Sequence, residues 1–199
     1  MKINERGYWE NPTAEGHGHD EGLANALVEF FKKENIQSVA DVGCGTGYYL
    51  HCLVGTVSQF AGFDGNPHTS NISRGPAEFY IFGGYDFTNP DLNIGVYDWV
   101  YSLEVGEHIP EQYEDVFINL LNKSNRNGII LSWSIPEYGG DGHVNSRDNG
   151  YIINKICSLG YILDDLETER LRQSVAKYPI PCYWFSKTIM CFRKVSSDV

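Results

Sequence analysis

The sequence lacks the features that mark several classes of protein. No apolar run reaches the roughly 18 residues of a membrane-spanning helix, and residues 1–6 lack the apolar stretch of a secretory signal. The five cysteines are odd in number and include no Cys-x-x-Cys pair. This argues against a disulfide framework or a zinc site and favours reduced thiols in a cytoplasmic protein.

Basic residues are also scarce. The chain has 15 Lys and Arg against 26 Asp and Glu, which gives a net charge of −11. A surface of that charge repels phosphate backbones and anionic lipids. We therefore expect neither a nucleic-acid nor a membrane partner.

The 199 residues, 42% of them apolar, fit a single domain with one core. Apolar segments with strand and helix patterns alternate through the first three quarters of the chain, which predicts a doubly wound, Rossmann-like α/β fold. Ligands bind such a sheet beyond the carboxyl ends of its strands. The predicted strands are 37–42, 58–63, 78–82, 97–102, 128–133, 161–166 and 188–193, and helices are predicted to begin near Asp20, Thr46, Pro110 and Asn149.

Three glycines follow the first predicted strand, in Asp41-Val-Gly-Cys-Gly-Thr-Gly47. Glycine suits a backbone with positive φ that must lie close to a ligand, although a tight turn without a ligand also uses it. The dinucleotide fingerprint would place its last glycine at position 48, where this chain has Tyr48. A nicotinamide enzyme is therefore the weaker alternative, and the spacing favours a ligand without phosphate at the turn.

The glycine segment resembles the first motif of the class I S-adenosylmethionine-dependent methyltransferases, and similar motifs follow in that family's order. Asp64 ends the second strand, Asp86-Phe87 follows the third, and residues 97–110 are similar to the fourth motif. The resemblance covers residues 37–133. It implies a seven-stranded sheet of order 3-2-1-4-5-7-6 with the last strand antiparallel, and S-adenosylmethionine as the cofactor.

The resemblance also implies the cofactor contacts. Asp64 would bind the ribose hydroxyls, Asp86 and Phe87 the adenine, and Leu103 and Glu104 would lie near the methionine part. The predicted cofactor-binding residues are Asp41, Gly43, Cys44, Gly45, Gly47, Asp64, Gly65, Asp86, Phe87, Ser102, Leu103 and Glu104. We divide the single domain, 1–199, into an N-terminal lid and first helix (1–36), a cofactor-binding core (37–134) and acceptor-side loops with the last strand pair (135–199).

Two histidines are candidates for the general base that a hydroxyl acceptor needs. His143 lies in a glycine-rich loop after the fifth strand, with Asp141 and Asn145 as polar clamps, and His108 lies in the loop after the fourth strand. The alternatives are a solvated turn for the first loop and a helix-capping role for His108.

The histidines at 17 and 19 precede the first helix in a glycine-rich segment. This segment is predicted to fold over the cofactor with Tyr8 and Trp9 as a lid. Since His-x-His in a flexible context is weak evidence for a metal, we predict none. An aromatic segment, 178–185, could stack on a sugar ring or an aryl acceptor, or could be part of the core. The predicted substrate-binding residues are Trp9, His17, His19, Asp141, Asn145, Tyr183 and Trp184.

The favoured hypothesis is O-methylation of a sugar, a glycan or another small hydroxylated acceptor. An N- or C-methyltransferase of a small metabolite is the alternative within the enzymes. A non-catalytic binding or scaffold module of the same fold is the alternative outside them, because cofactor motifs do not prove turnover. The sequence gives no prediction of the oligomeric state.

Overall fold

Seven strands form one mixed sheet in the structure, a computed structural model that describes residues 3–10, 17–73, 75–175 and 182–195. The strand order is β3-β2-β1-β4-β5-β7-β6, with β1 to β5 parallel and β7 antiparallel to both of its neighbours. The predicted order and the antiparallel last strand are confirmed. The strands are β1 Ser38–Val42, β2 Gln59–Phe63, β3 Ile81–Phe82, β4 Tyr97–Leu103, β5 Asn125–Ser132, β6 Tyr161–Leu163 and β7 Met190–Lys194.

Helices cover both faces of the sheet. They are α1 Glu21–Lys33, α2 Tyr48–Cys52, α3 Thr69–Ile72, α4 Glu114–Lys123, α5 Asn149–Cys157, α6 Asp165–Val175 and α7 Phe185–Thr188. Side chains alternate across each strand, so that Trp99 and Tyr101 of β4 pack with α1 and α6 while Val100 packs with α4 and α5. None of the helices in the described ranges is both long and apolar enough to cross a membrane.

The C-terminal part differs from the prediction. The strand predicted over 161–166 ends at Leu163, and helix α6, which the sequence analysis missed, follows it. Its buried face contains the polar residues Glu167 and Thr168 beside Leu171 and Val175. The second leucine of the helix, Leu166, is 87% exposed. The apolar periodicity that predicts a helix is therefore weak here, because polar groups fill buried positions. Residues 178–181 of the aromatic segment lie outside the described residues.

Two other elements are shorter than predicted. The helix predicted from Pro110 begins at Glu114, because a 3-10 turn, Glu111–Tyr113, comes first. The strand predicted over 78–82 is a 3-10 turn, Glu78–Tyr80, followed by the two residues of β3. Neither change alters the order of the strands or the edge at which the loops meet.

Candidate active site

A cleft of about 500 Å³ lies at the carboxyl ends of the parallel strands. The segments after β1, β2, β3 and β4 form its floor and walls. The N-terminal segment, the loop after β5 and residues 183–185, where α7 begins, complete it. The predicted site residues that line the cleft are Trp9, His17, Asp41, Gly43, Cys44, Gly45, Asp64, Gly65, Asp86, Phe87, Leu103, Glu104, His108, Asp141, His143, Tyr183 and Trp184.

The glycine loop between β1 and α2 needs its glycines for two reasons. Gly43, Gly45 and Gly47 all have positive φ, at 85°, 51° and 76°. A Cβ on Gly43 would also lie 2.2 Å from Cγ2 of Val105, which is closer than atoms can pack. Gly47 is outside the cleft lining, and its missing side chain leaves room for Ile81.

Asp64 connects this loop to the end of β2. One carboxylate oxygen accepts a hydrogen bond from the Gly45 N–H and the other from the Asn66 N–H, each at 2.8 Å. Burial raises the pKa of Asp64, and these backbone hydrogen bonds oppose the shift. Because each carboxylate oxygen has two lone pairs, both oxygens can still accept a hydrogen bond from a ligand.

Asp86, after β3, is held from two sides. Its carboxylate accepts hydrogen bonds from the backbone N–H and the hydroxyl of Thr88, and it pairs with the Arg6 guanidinium at 2.6 Å. Arg6 therefore ties the N-terminal segment to the predicted adenine site. The neighbouring Phe87 is buried against Phe117 and lines the cleft.

Two predicted cofactor residues at the end of β4 differ in placement. Ser102 is fully buried, lies outside the cleft lining and donates its hydroxyl hydrogen bond to the Val42 carbonyl at 2.6 Å. Glu104 lines the cleft with φ of 56°, which is rare for a residue with a side chain. Its N–H donates to the Ser132 hydroxyl at 2.8 Å. Burial raises the pKa of Glu104 to about 7.

Three side chains from two loops meet at the far end of the cleft. Glu107 and His108 belong to the 3-10 turn after β4, and His143 belongs to the loop after β5. The two imidazole rings are 4.9 Å apart between centroids, and Nε2 of His143 lies 3.9 Å from Oε1 of Glu107. Burial lowers the pKa of His108 to about 4 and also lowers the pKa of His143.

Backbone hydrogen bonds hold the two loops together. The Glu107 carbonyl accepts the N–H groups of Val144 and Asn145, both at 2.9 Å. Asn145 itself is buried outside the cleft lining, and its amide donates to Glu114 at 3.1 Å. The structure thus places Asn145 in the support of the loop and not at the surface of the cleft.

Aromatic rings surround the mouth of the cleft. Trp9 contacts the rings of His17 and His108, at 5.1 and 5.8 Å between centroids. His19 stacks on Tyr48 at 3.8 Å and is outside the lining. On the opposite side, Tyr183 packs edge-on against Tyr138 and Trp184.

Comparison with known families decides the assignment. A family model described as "Methyltransferase domain" matches residues 16–136, more than half of the chain. The chain belongs to this methyltransferase family. The motifs and strand order are those of the class I S-adenosylmethionine-dependent methyltransferases, as the sequence predicted, and S-adenosylmethionine is its cofactor.

Individual relatives of the methyltransferase are distant. A curated rice protein (Oryza sativa subsp. japonica), "Probable tocopherol O-methyltransferase, chloroplastic", is 27% identical in an alignment 157 residues long that covers 73% of this chain. The chain spans only 42% of that relative's length. Magnesium protoporphyrin IX methyltransferase from Synechocystis PCC 6803, with bound S-adenosylmethionine, has a similar structure, with a TM-score of 0.62, 15% identity and 91% and 88% of the two chains covered. The sugar N-methyltransferase KedS8 from Streptoalloteichus sp ATCC 53650 also has a similar structure, with a TM-score of 0.66, 12% identity and 98% and 99% of the two chains covered.

Three residues that shape the methyltransferase cleft were not predicted from the sequence. Arg6 and Tyr138 line it and contact predicted site residues, but a single arginine or tyrosine in a loop carries no distinctive pattern. Glu107 could have been found. It stands directly before His108 and three residues after Glu104, in the same loop as the candidate base.

Proposed function

We propose that this methyltransferase moves the methyl group of S-adenosylmethionine to a hydroxyl oxygen of a small acceptor, and that the acceptor is a sugar or glycan. The observation that carries the proposal is the shared cleft. The glycine loop and Asp64 lie in the same cleft as the histidine pair, His108 and His143. A cofactor site and candidate proton acceptors thus open into one space.

The cofactor is proposed to lie along the glycine loop. Asp64 keeps acceptor capacity for the two ribose hydroxyls, and hydrogen bonds to a charged acceptor are the stronger kind. The acids Asp41, Asp64 and Glu104 line this part of the cleft, and negative charge favours a sulfonium cation. In this division of roles residues 1–36 supply a lid and the first helix, residues 37–134 bind the cofactor, and residues 135–199 supply the acceptor-side loops and the last strand pair.

The reaction requires one proton acceptor. As the acceptor oxygen forms its bond to the methyl carbon, the S–CH₃ bond breaks and its electron pair stays on sulfur, which becomes the neutral thioether of S-adenosylhomocysteine. The hydroxyl proton is proposed to move to His143, with His108 as the second candidate. Most of the acceleration in such a displacement comes from positioning, which can lower a barrier by roughly 7–11 kcal/mol.

The aromatic side chains at the mouth of the cleft support a sugar as the proposed acceptor. The exposed ring of Tyr183 and the half-buried ring of Tyr138, beside Trp184, offer apolar faces of the kind on which a sugar ring stacks, and Asp141 offers a carboxylate in the same cleft lining. The relatives differ in the atom that their names say is methylated: one is a probable O-methyltransferase and one is a sugar N-methyltransferase. Methylation of an amino sugar at nitrogen is accordingly the second candidate. We also propose a cytoplasmic location.

The test is methyl transfer to a panel of free sugars, amino sugars and phenols. The methyl position is read by mass spectrometry and NMR. We expect an O-methylated sugar, at least a tenfold lower rate in His143→Ala, and an unchanged rate in the control His68→Ala, since His68 is exposed and outside the cleft lining. N-methylated products contradict the hydroxyl acceptor. Unchanged rates in both His143→Ala and His108→Ala contradict the histidine base, and bound cofactor without turnover of any acceptor contradicts the enzyme.

A further inference from the structure

The cluster of Glu107, His108 and His143 has a geometry that general base catalysis does not require. Each side chain offers one ligand atom, and these three atoms lie within 4.8 Å of one another. A tetrahedral cation held at about 2.1 Å needs its ligand atoms about 3.4 Å apart. Small side-chain rotations are therefore enough to bring the three atoms around one ion.

The orientation of His108 suits a metal ligand. Its Nδ1 lies 3.1 Å from the Gly142 carbonyl oxygen. Since a carbonyl oxygen only accepts, Nδ1 carries the proton, and Nε2 keeps its lone pair for another partner. Histidines that bind metals almost always donate their other ring N–H in this way.

The carboxyl of Glu107 is fully buried, and among the described residues neither of its oxygens has a partner at hydrogen-bond geometry. Its neighbours include a second acid, Glu104, whose carboxyl lies beside it, and Nε2 of His143 at 3.9 Å from Oε1. Among the same residues, Nδ1 of His143 is also buried without a hydrogen-bond partner. Burying a carboxylate without partners is costly unless it is paired or coordinates a metal. The backbone hydrogen bonds between the two loops nevertheless hold Glu107 in place.

The ring of His143 packs against the backbone of its own loop. A Cβ on Gly140 would lie 2.3 Å from its Nε2, so that glycine at this position leaves the room that the ring occupies. Together these features bring two imidazoles and one carboxyl close together beside the cleft.

We propose that Glu107, His108 and His143 bind a divalent cation of the Zn²⁺ or Mn²⁺ type, and that its open coordination positions hold two neighbouring hydroxyl oxygens of the acceptor. Two nitrogen ligands and one oxygen ligand favour such cations over Mg²⁺, which prefers oxygen. Three protein ligands leave positions open for substrate, as in catalytic zinc sites. The sequence led to the expectation of no metal because only the His17–His19 segment has a spacing that suggests one.

The second half of this inference rests on the proposed function, because it assumes a hydroxylated acceptor. The cation lowers the pKa of an oxygen bound to it, so that the acceptor proton can leave to water. This part of the inference keeps the hydroxylated acceptor of the proposed function but replaces its histidine base, because His108 and His143 then serve as ligands and water accepts the proton. Cation binding itself requires no acceptor and can be measured separately.

The first experiment measures binding to the full chain after treatment with EDTA. Zn²⁺ and Mn²⁺ are titrated by calorimetry, with Mg²⁺ for comparison, and Co²⁺ is used as a probe whose visible absorption reports nitrogen ligation. We expect one cation per chain. Glu107→Gln and His143→Asn should each weaken binding at least 100-fold, since loss of a residue that only supports a ligand already costs 10–100-fold. His68→Asn, an exposed histidine outside the cleft lining, is the matched control and should bind as the wild type does.

Thermal stability separates a ligand from a structural residue. Without metal, Glu107→Gln should melt at the same temperature as the wild type or higher, because it keeps the shape of the side chain and removes a carboxyl that is buried beside the carboxyl of Glu104. Added Zn²⁺ should raise the melting temperature of the wild type and of His68→Asn but not of Glu107→Gln. A lower melting temperature of metal-free Glu107→Gln, or equal metal binding by it and the wild type, overturns the site.

Methylation measured with and without the cation distinguishes a failure of this inference from a failure of the proposed function. Methylation that requires the cation, and is restored by Zn²⁺ or Mn²⁺ after EDTA, supports both halves. Cation binding with equal methylation in EDTA overturns the role in holding the acceptor. Sugar O-methylation by a chain that binds no cation overturns the whole inference and leaves the proposed function standing. Cation binding without O-methylation of any acceptor overturns the proposed function but not the site.

Discussion

Glu114, at the start of α4, provides the sharpest test of the energetics of the fold. Its carboxylate is only 3% exposed. It accepts hydrogen bonds from Lys155, Tyr151, Arg147 and Asn145, at 2.5 to 3.1 Å. Burial alone would raise the pKa of Glu114, but the hydrogen bonds outweigh it and lower the pKa to about 2. Glu114 thus anchors the loop that carries His143.

The contribution of the Glu114 charge to the free energy of unfolding follows from its lowered pKa. The shift from an ordinary 4.5 to about 2 corresponds to about 3 kcal/mol of stability at 1.36 kcal/mol per pKa unit. Screening reduces this figure, because Lys155 and Arg147 are about a quarter exposed. We expect Glu114→Gln to lower the free energy of unfolding by about 2–3 kcal/mol at pH 7. The shape of the side chain is kept, so that the loss reports the charge.

The pH dependence has a fixed sign. A carboxyl group with a lowered pKa in the folded state stabilises fully above its unfolded pKa, and this contribution disappears as the pH falls through the folded pKa. The difference between the wild type and Glu114→Gln should therefore shrink by about a quarter at pH 4 and by more than half at pH 3. Urea unfolding followed by circular dichroism at pH 7, 5, 4 and 3 measures it.

Glu111 is the control for this experiment. Its carboxylate binds the same Arg147, at 2.6 Å, but is 74% exposed. Exposed ion pairs contribute about 0–1 kcal/mol, so that Glu111→Gln should cost less than about 1 kcal/mol. Equal losses for Glu111→Gln and Glu114→Gln, or a Glu114→Gln loss that stays constant from pH 7 to pH 3, would refute the reasoning.

Three further predictions concern the cleft and the core. Asp64→Asn should weaken S-adenosylmethionine binding by about 1.5–3 kcal/mol, the typical contribution of hydrogen bonds to a charged group; wild-type affinity in calorimetry would exclude the ribose role. Gly55→Ala, at φ 79° with open space around it, should cost only the roughly 1–2 kcal/mol of a left-handed backbone. Gly43→Ala, at φ 85° and 2.2 Å from a valine methyl, should cost clearly more and also weaken cofactor binding; equal unfolding energies for the two variants would contradict the close contact. The thiols of Cys182 and Cys191 are buried, and burial raises the pKa of both. They should resist a thiol reagent in the folded protein and react after unfolding in urea, as counted by mass spectrometry.

The sequence predicted the fold well where local patterns and the long-range order agree. Buried strands such as β1 and β4 are short apolar runs, and the amphipathic helix α1 is capped by Asp20, whose carboxylate accepts the Leu23 N–H as the sequence predicted. Helix α6 was missed because its stability depends on tertiary partners. The hydroxyl of Thr168 accepts the N–H of Cys191 in β7, and Arg170 donates to the Ala26 carbonyl of α1 at 2.7 Å. No periodicity of apolar residues reports such contacts.

The cofactor side of the site was more predictable than the acceptor side, for a physical reason. The glycine loop follows directly after β1, and its backbone has positive φ angles that favour glycine. Asp64 follows directly after β2. Each motif can therefore be recognised from a few consecutive residues of the sequence. Ser102 and Asn145 have suitable chemistry and suitable places in the sequence. However, their side chains bond to the Val42 carbonyl and to Glu114. The direction in which a polar side chain points is decided by packing, which residue type and spacing do not reveal.

The cluster of Glu107, His108 and His143 can be predicted once the strand order is known. β4 and β5 are parallel neighbours, and Leu103 pairs with Ser132 where both strands end. The loops after these strands therefore leave the sheet side by side, although His108 and His143 are 35 residues apart in the sequence. The motifs already imply the order 3-2-1-4-5-7-6, and that order makes these two loops neighbours. Comparing the chemistry of loops that follow adjacent parallel strands, instead of judging each loop alone, brings the carboxylate and the two imidazoles together from the amino-acid sequence and the strand order.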